Sequence, residues 1–313
     1  MSNVINGKIL PSIAIGTWAW GSGANGNGII FGTKSSPNIL KEGFDIATKM
    51  GFKFFDTSAV YGMGTAEELL ASFSKDTDII LSDKYTPMKR FKQSRIDEMY
   101  NSTVEKFGGR IPDIYFLHQP KQIEETLTYM CKMKNEGKIG SIGVSNFDLE
   151  QLKLADEVVK KYGCTISGVQ NHYSLLYRTS EENGVINWCK ENGVVFFAYM
   201  VLEQGALTGK FTAEHPMPRF SRRGTAFNKK KLAKIEPLIT QMEVIAHAHG
   251  LSVSETAAAY TIAKGALPII GVTKPYQAQS LIKTTNASLS KDEIEKLERA
   301  AQDTGVKIKA SWE

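Results

Sequence analysis

A chain of 313 residues with 42% hydrophobic and 23% charged side chains is globular in composition, which excludes disorder, collagen and coiled coil. Its net charge of +5, from 38 Lys and Arg against 33 Asp and Glu, is too small to mark a nucleic-acid binder and suits an anionic small ligand equally well. The longest apolar run, Val194–Leu202, falls far short of the roughly 20 residues that span a bilayer, so no membrane is expected as a partner. Nothing at the N-terminus reads as a signal peptide, and Cys131, Cys164 and Cys189 form no CxxC. Reduced packing cysteines in a cytoplasmic protein are the expectation. Composition says nothing about subunit number.

In chain order, Val4 to Ile9 predicts a small hairpin turning at Asn6-Gly7, a pair that tolerates positive φ. Buried strands are predicted at Ile13–Ile15, Lys53–Phe55, Ile79–Leu81, Ile114–Leu117, Ile142–Val144, Gly168–Gln170, Val194–Tyr199 and Leu267–Ile270. Amphipathic helices are predicted over Asn38–Met50, Ser94–Phe107, Ile123–Asn135, Leu149–Lys161 and Glu181–Glu191, with capping boxes at Thr65-Ala-Glu-Glu68 and Ser290-Lys-Asp-Glu293. Strands apolar on both faces that alternate with helices predict a parallel sheet covered by helices. Length alone suggests two domains at ~150 residues each, but eight such units favour a single (β/α)8 TIM barrel over residues 1–313, with an N-terminal hairpin and extra helices.

Gly21-Ser22-Gly23-Ala24-Asn25-Gly26 fits the GxGxxG dinucleotide fingerprint, which has a mechanism only where its last glycine opens a helix. Here the glycines run on to Gly32 and no helix is predicted before about Asn38, so a flexible loop is the expectation. A nucleotide would be bound by another route.

Chemistry in a barrel sits at the C-terminal ends of its strands. Asp56, Lys84 and His118 lie just past consecutive predicted strands, with Tyr61 five residues beyond Asp56. The set makes sense as a proton donor. A free tyrosine has a pKa of ~10, and a lysine charge ~4 Å away in a partly shielded site is worth ~4 kcal/mol, enough to bring the phenol near 7. Asp56 would hold the lysine, and His118 would orient a carbonyl substrate. Singly, each residue has an ordinary structural explanation; together at adjacent strand ends they point to one site.

These residues resemble those of the aldo-keto reductase family. The resemblance is carried by Phe55-Asp56-Thr57, Tyr61-Gly62-Met63-Gly64 with Glu67, Lys84, Leu117-His118, Ile142 to Phe147, Val169-Gln170-Asn171, Ala198-Tyr199 with Gly205 to Lys210, and Ile269 to Pro275. It covers nearly the whole chain in order. It implies NAD(P)H-dependent reduction of a small aldehyde or ketone, with Tyr61, Asp56, Lys84 and His118 as the catalytic four and no metal. It further implies that Ser145, Asn146 and Gln170 hold the carboxamide, Tyr199 stacks on the nicotinamide, and Gly16, Thr17 and Trp18 line the cofactor. Met200, Leu202, Gln204 and Gly205 would cover it, and Gly271, Val272, Thr273 and Lys274 would receive the adenosine phosphate at a helix start. The chain departs from the family in two places. Met200-Val201-Leu202-Glu203 replaces the common Ser-Pro-Leu-Gly, so Glu203 must point away from a pyrophosphate or bind a cation. Gln277 stands where an arginine often clamps a 2′-phosphate, and Ser280-Leu281 replaces the usual acid–Asn pair for adenine. NADP(H) therefore rests on Thr273 and Lys274, with NAD(H) the alternative.

Other signals are weaker. Arg219, Arg222, Arg223 and Lys229–Lys231 lack interleaved aromatics and predict a cofactor-side loop entering a solvated helix start. His247 and His249 point to opposite sides of a helix and do not predict a metal pair. His172, Trp18, Trp20, Tyr85 and Tyr173 are candidates for the substrate wall. A regulatory subunit on the same scaffold, like the β-subunits of potassium channels, is the alternative function. A metal-dependent hydrolase is disfavoured, since only His118 among five histidines falls at a predicted strand end.

Overall fold

Segments apolar on both faces need cover on both sides, and a closed sheet inside a ring of helices supplies it. The computed structural model describes residues 4–23 and 25–309. Eight parallel strands close in sequence order: β1 (Ala14–Gly16), β2 (Phe54–Asp56), β3 (Ile80–Tyr85), β4 (Ile114–Leu117), β5 (Ile142–Ser145), β6 (Ile166–His172), β7 (Val195–Tyr199) and β8 (Leu267–Gly271). Closure is between β8 and β1, with Gly271 opposite Gly16. The outer helices are α1 (Pro37–Lys49), α2 (Thr65–Phe73), α3 (Gln93–Lys106), α4 (Ile123–Asn135), α5 (Leu149–Lys160), α6 (Val185–Glu191), α7 (Lys229–His249), α8 (Val253–Ala263), α9 (Pro275–Thr285) and α10 (Lys291–Asp303). The (β/α)8 TIM barrel is as expected, and all eight predicted strands are present.

The hairpin pairs Val4 with Ile9 and turns through Asn6 and Gly7, both at positive φ. It closes the bottom of the barrel. Asn6 Nδ2 and Lys8 Nζ both donate to the Asp113 carboxylate, and Lys8 also reaches the Ile79 carbonyl. With the bottom closed by Ile5 and Leu10 against the interior cluster of Phe54, Phe116 and Phe197, the C-terminal face is left for chemistry.

Inside, large rings are matched by glycines. Phe197 stacks on Phe54 at 5.1 Å and meets Phe116 edge-on at 5.9 Å. Gly143 lies against Phe116, where a Cβ would run into the buried ring. Gly143→Ala is therefore expected to overpack the barrel and cost about 1–3 kcal/mol. Urea unfolding checks this, as a lower midpoint at unchanged slope.

Three local expectations are corrected. Gly26 opens a one-turn helix, Asn27–Ile30, so helix begins before Asn38. Ala24, within the GxGxxG match, lies outside the described residues, as do residues 1–3 and 310–313 of the expected 1–313 unit. The predicted helix Glu181–Glu191 is two, Thr179–Glu182 and α6, because Gly184 takes φ +85° between them. Thr65 is no N-cap: Gly64 caps α2 in the left-handed region, while Thr65 donates to the Gly62 carbonyl. The Ser290–Glu293 box is present at α10.

Candidate active site

The open face of the barrel collects the ends of β2, β3 and β4. Strand alternation turns Ser82 and Lys84 of β3 inward, where both reach Asp56 at the end of β2. Lys84 Nζ donates to Asp56 Oδ2 at 2.7 Å and to the Thr57 carbonyl at 2.7 Å. Asp56 Oδ1 accepts from Ser82 Oγ at 2.8 Å and Gln170 Nε2 at 2.9 Å. Lys84 is 0% exposed, so its charge is tolerated only because this carboxylate faces it.

Tyr61 sits above the pair on a turn with Gly62 and Met63 at positive φ. Its ring centroid is 4.8 Å from Lys84 Nζ. Burial, and after it the charges of Asp56 and Asp83, holds the phenol well above its ordinary range. The expected fall toward 7 is absent because Lys84 is engaged by Asp56 and Thr57 and lies over the ring face. The Tyr61 phenol is therefore protonated at physiological pH. His118 closes the group, its ring edge-on to Tyr61 at 6.2 Å and its Nδ1 2.9 Å from Thr86 Oγ1. Burial, then the Lys84 charge, depresses the His118 pKa well below 6.5, so the ring is neutral at physiological pH. All four residues expected at the site come together.

The Gly-rich segment supports this turn. Asn25 Nδ2 donates to the Val60 carbonyl, and Gly62 N–H donates to the Asn25 carbonyl. Trp18 stacks on Tyr61 at 5.8 Å with Phe31 edge-on behind it. No sequence signal pointed to this role.

The expected cofactor residues occupy the rim of the same face. Gly16 ends β1, and Thr17 N and Oγ1 both bond the Asp56 carbonyl at 3.0 Å. Ser145 Oγ donates to the Gln170 carbonyl, and Asn146 Nδ2 to the His118 carbonyl. Asn146 Oδ1 accepts from Tyr199 Oη at 2.5 Å. Ser145, Asn146, Gln170 and Tyr199 thus form one hydrogen-bonded strip beside Asp56. Beyond it the chain turns sharply, with Met200, Glu203 and Gln204 at positive φ, and Leu202 and Gly205 in the same turn. Gln204 Oε1 is buried with no partner among the described residues. Glu203 points away from the rim: Oε1 accepts from Ser174 Oγ at 2.5 Å and lies 2.7 Å from His172 Nε2.

The helix start after β8 is not open. Gln277 Oε1 accepts from Thr273 N at 2.8 Å and Lys274 N at 3.0 Å, so the amides expected to receive a phosphate are already bonded. Gly271 is exposed and Val272 buried before it.

Of the substrate-wall candidates, Trp18 stands at the mouth. His172 is tied to Glu203 and stacks between Tyr177 and Tyr199 at 4.2 and 5.6 Å. Trp20 is core, donating to the Val272 carbonyl. Tyr173 is buried and bonds Glu181, and Tyr85 is buried with its hydroxyl unpartnered among the described residues. In the basic segment Lys229 and Lys230 are exposed in the first turn of α7, as expected. Arg223 departs from that picture. It is buried over the Phe211 ring at 4.9 Å and donates to the Gln204 carbonyl, with Nε unpartnered and no carboxylate pair among the described residues. His249 lies 2.8 Å from Glu293, and no group of three or more potential metal ligands occurs among the described residues.

Comparison with known proteins agrees with this geometry. An uncharacterized oxidoreductase of Mycobacterium tuberculosis, Rv2298, is 29% identical over 296 residues, covering 93% of this chain and 89% of its own. The NADH-specific methylglyoxal reductase of Escherichia coli is 25% identical over 310 residues, covering 90% and 91%. The crystal structure of an aldo/keto reductase from Klebsiella pneumoniae with NADP and acetate shares the fold at a TM-score of 0.72 and 23% identity, over 96% and 95% of the two chains. The aldo/keto reductase family model matches residues 12–302. With a buried Asp–Lys pair under a tyrosine at the mouth of a barrel, and a family match along nearly its whole length, the chain belongs to the aldo/keto reductase family of oxidoreductases.

Proposed function

We propose that this protein reduces an aldehyde or ketone to the alcohol with a nicotinamide cofactor, Tyr61 giving the proton. The observation that carries the reading is a fully buried Lys84 held on Asp56 beneath the Tyr61 ring, with neutral His118 edge-on to the same ring. The dinucleotide, when bound, supplies the hydride. Tyr61 stays protonated until charge develops on the carbonyl oxygen and then donates to it. Lys84 stabilises the tyrosinate left behind, and Asp56 keeps Lys84 charged and in place. With the Thr86 hydroxyl donating to Nδ1, His118 presents Nε2–H to the same oxygen and orients it.

The rim suits a dinucleotide. Among the described residues Arg223 is a buried cation without a carboxylate, donating to the Gln204 carbonyl, and Gln204 Oε1 lacks a donor, so an anion with neighbouring hydroxyls would suit this turn. Ser145, Asn146 and Gln170 would hold the carboxamide, and Tyr199, backed by His172, would stack on the ring. We take NADP(H) as the preferred cofactor, with Lys274 as the cation for its extra phosphate, and NAD(H) as its competitor. A phosphate there must displace Gln277 Oε1. Gln277→Arg is therefore expected to tighten NADPH binding roughly tenfold through one charge-assisted contact, leaving NADH unchanged. Tryptophan-fluorescence titration of both cofactors on both proteins checks it.

Residues 1–313 are read as one barrel unit. Burial pushes the Cys131 and Cys189 thiols up to about 12, which suits reduced packing cysteines and a cytoplasmic location. The decisive test is cofactor titration followed by a panel of aldehydes and ketones, methylglyoxal included, read as loss of reduced-cofactor absorbance. Turnover of any member supports the reading. Tight cofactor binding with no turnover in either direction would instead indicate a regulatory subunit on the same scaffold.

A further inference from the structure

Behind the mouth, on the outer face of β3, two buried carboxylates share one hydroxyl. Between inward Ser82 and Lys84, Asp83 points outward to α2 and α3. Thr103 Oγ1 lies 2.6 Å from Asp83 Oδ2, 2.8 Å from Glu67 Oε1 and 3.2 Å from the Met99 carbonyl oxygen. Asp83, Glu67 and Thr103 are all 0% exposed.

A threonine hydroxyl has one proton to give. Both short carboxyl contacts are satisfied together only if one carboxyl group is protonated and donates to Thr103. Lys106 decides which. Its Nζ is 2.8 Å from Glu67 Oε2 and gives that carboxylate a direct counter-charge. Among the described residues Asp83 has no such cation, because neighbouring Lys84 turns the other way to Asp56. Asp83 Oδ1 is buried and unpartnered among the described residues, a smaller cost for the carbonyl oxygen of a neutral acid than for a carboxylate. Each proton then has a place: Asp83 Oδ2–H donates to Thr103 Oγ1, whose own proton goes to Glu67 Oε1, while Glu67 Oε2 accepts from Lys106.

The titratable and charged groups around the pair are Glu67 from α2, Tyr100 and Lys106 from α3, Tyr115 of β4 directly across from Asp83, Lys84 and Tyr85 on its own strand, and Asp56 beyond Lys84. Both lysines are engaged by other carboxylates. Burial, and next the Glu67 charge, pushes the Asp83 carboxyl up to about 7, against opposite pulls from Thr103 and Lys84. The Asp83 charge in turn helps to raise the Tyr61 phenol.

We propose that Asp83 is a positioning residue for the reaction at Tyr61: it is held as a neutral acid by burial beside the Glu67 carboxylate with which it shares the Thr103 hydroxyl, and loss of its proton as pH rises weakens Tyr61 as a donor. This rests on the reductase reading of the mouth. Asp83 touches no substrate and acts through the field it sets behind Lys84.

Two readouts test it on the full chain between about pH 5 and about pH 9, single-turnover aldehyde reduction after loading with NADPH and the thermal unfolding midpoint without cofactor. The wild-type rate should fall several-fold through an inflection near 7, because a charged Asp83 raises the Tyr61 phenol further and makes it a weaker donor. The midpoint needs no turnover. A carboxyl at about 7 when folded, against 3.8 ordinarily, lends stability that is complete below the lower value and is lost as pH rises through the upper one. Asp83→Asn should remove both inflections. Glu67→Gln, which deletes the neighbouring charge that pushes Asp83 up, should move both to lower pH, and it carries the test if Asp83→Asn does not fold. No wild-type inflection, or one that persists unchanged in Asp83→Asn, overturns the proposal. A midpoint inflection without any aldehyde turnover would uphold the neutral Asp83 while the reductase reading fails.

Discussion

Tyr61→Phe should abolish reduction while leaving the cofactor bound. The substitution removes one hydroxyl and keeps the ring that Trp18 stacks on at 5.8 Å and that Lys84 approaches at 4.8 Å, so the mouth keeps its shape. What is lost is the proton. General-acid catalysis is worth about 10²–10⁴ in rate, and no other protonated group of the set can replace it. Lys84 is committed to Asp56 and Thr57, and His118 is held neutral by burial. The expected result is a fall of that size in the single-turnover rate of cofactor oxidation, with cofactor affinity by fluorescence nearly unchanged. Unchanged turnover would remove Tyr61 from the mechanism. Loss of cofactor binding along with turnover would make the ring, and not the hydroxyl, its contribution. Because the free phenol is held well above its ordinary range, its own ionisation should not appear as a limb near neutral pH.

Periodicity made the barrel legible. A strand buried on both faces, such as Ile114–Leu117, has no polar alternation to hide it, and eight in turn with helices leave few other folds. The four residues of the candidate site were legible because Asp56, Lys84 and His118 fall at the ends of consecutive predicted strands, with Tyr61 five residues beyond Asp56. The misses share another cause: side chains far apart in sequence that fold against each other. Glu203 looked like an obstacle to a pyrophosphate until its partners His172 and Ser174, some thirty positions earlier, turned it inward. Arg223 read as one cation in a basic run, yet it is buried against Phe211 and the Gln204 carbonyl. Asp83 and Glu67 meet only through Thr103, on a third element. The mistaken cap at Thr65 is a backbone effect, since a Thr-x-x-Glu spacing cannot report that Gly64 has already capped the helix. Trp20 and Tyr173 show that an aromatic near a strand end is as easily core as wall.

Lys84→Met should separate what the buried pair does for the fold from what it does for chemistry. Removing the ammonium leaves Asp56 Oδ2 with no donor in a site 3% exposed, while Ser82 and Gln170 still hold Oδ1. An uncompensated buried carboxylate costs about 3–5 kcal/mol, which urea unfolding would show as a lower midpoint at constant slope. Asp56→Asn should also destabilise, because it strands a fully buried Lys84 with the Thr57 carbonyl as its remaining acceptor. The double variant carries neither charge. Its loss should therefore be smaller than the sum of the two single losses, by about 1–3 kcal/mol of coupling between groups in direct contact. Activity should follow another rule. With no ammonium beneath the Tyr61 ring the tyrosinate has no counter-charge, so the double variant should regain stability and remain as slow as Lys84→Met. Recovery of turnover together with stability would mean that the pair serves only to hold the barrel together, and the proton donor would have to be sought elsewhere on the rim.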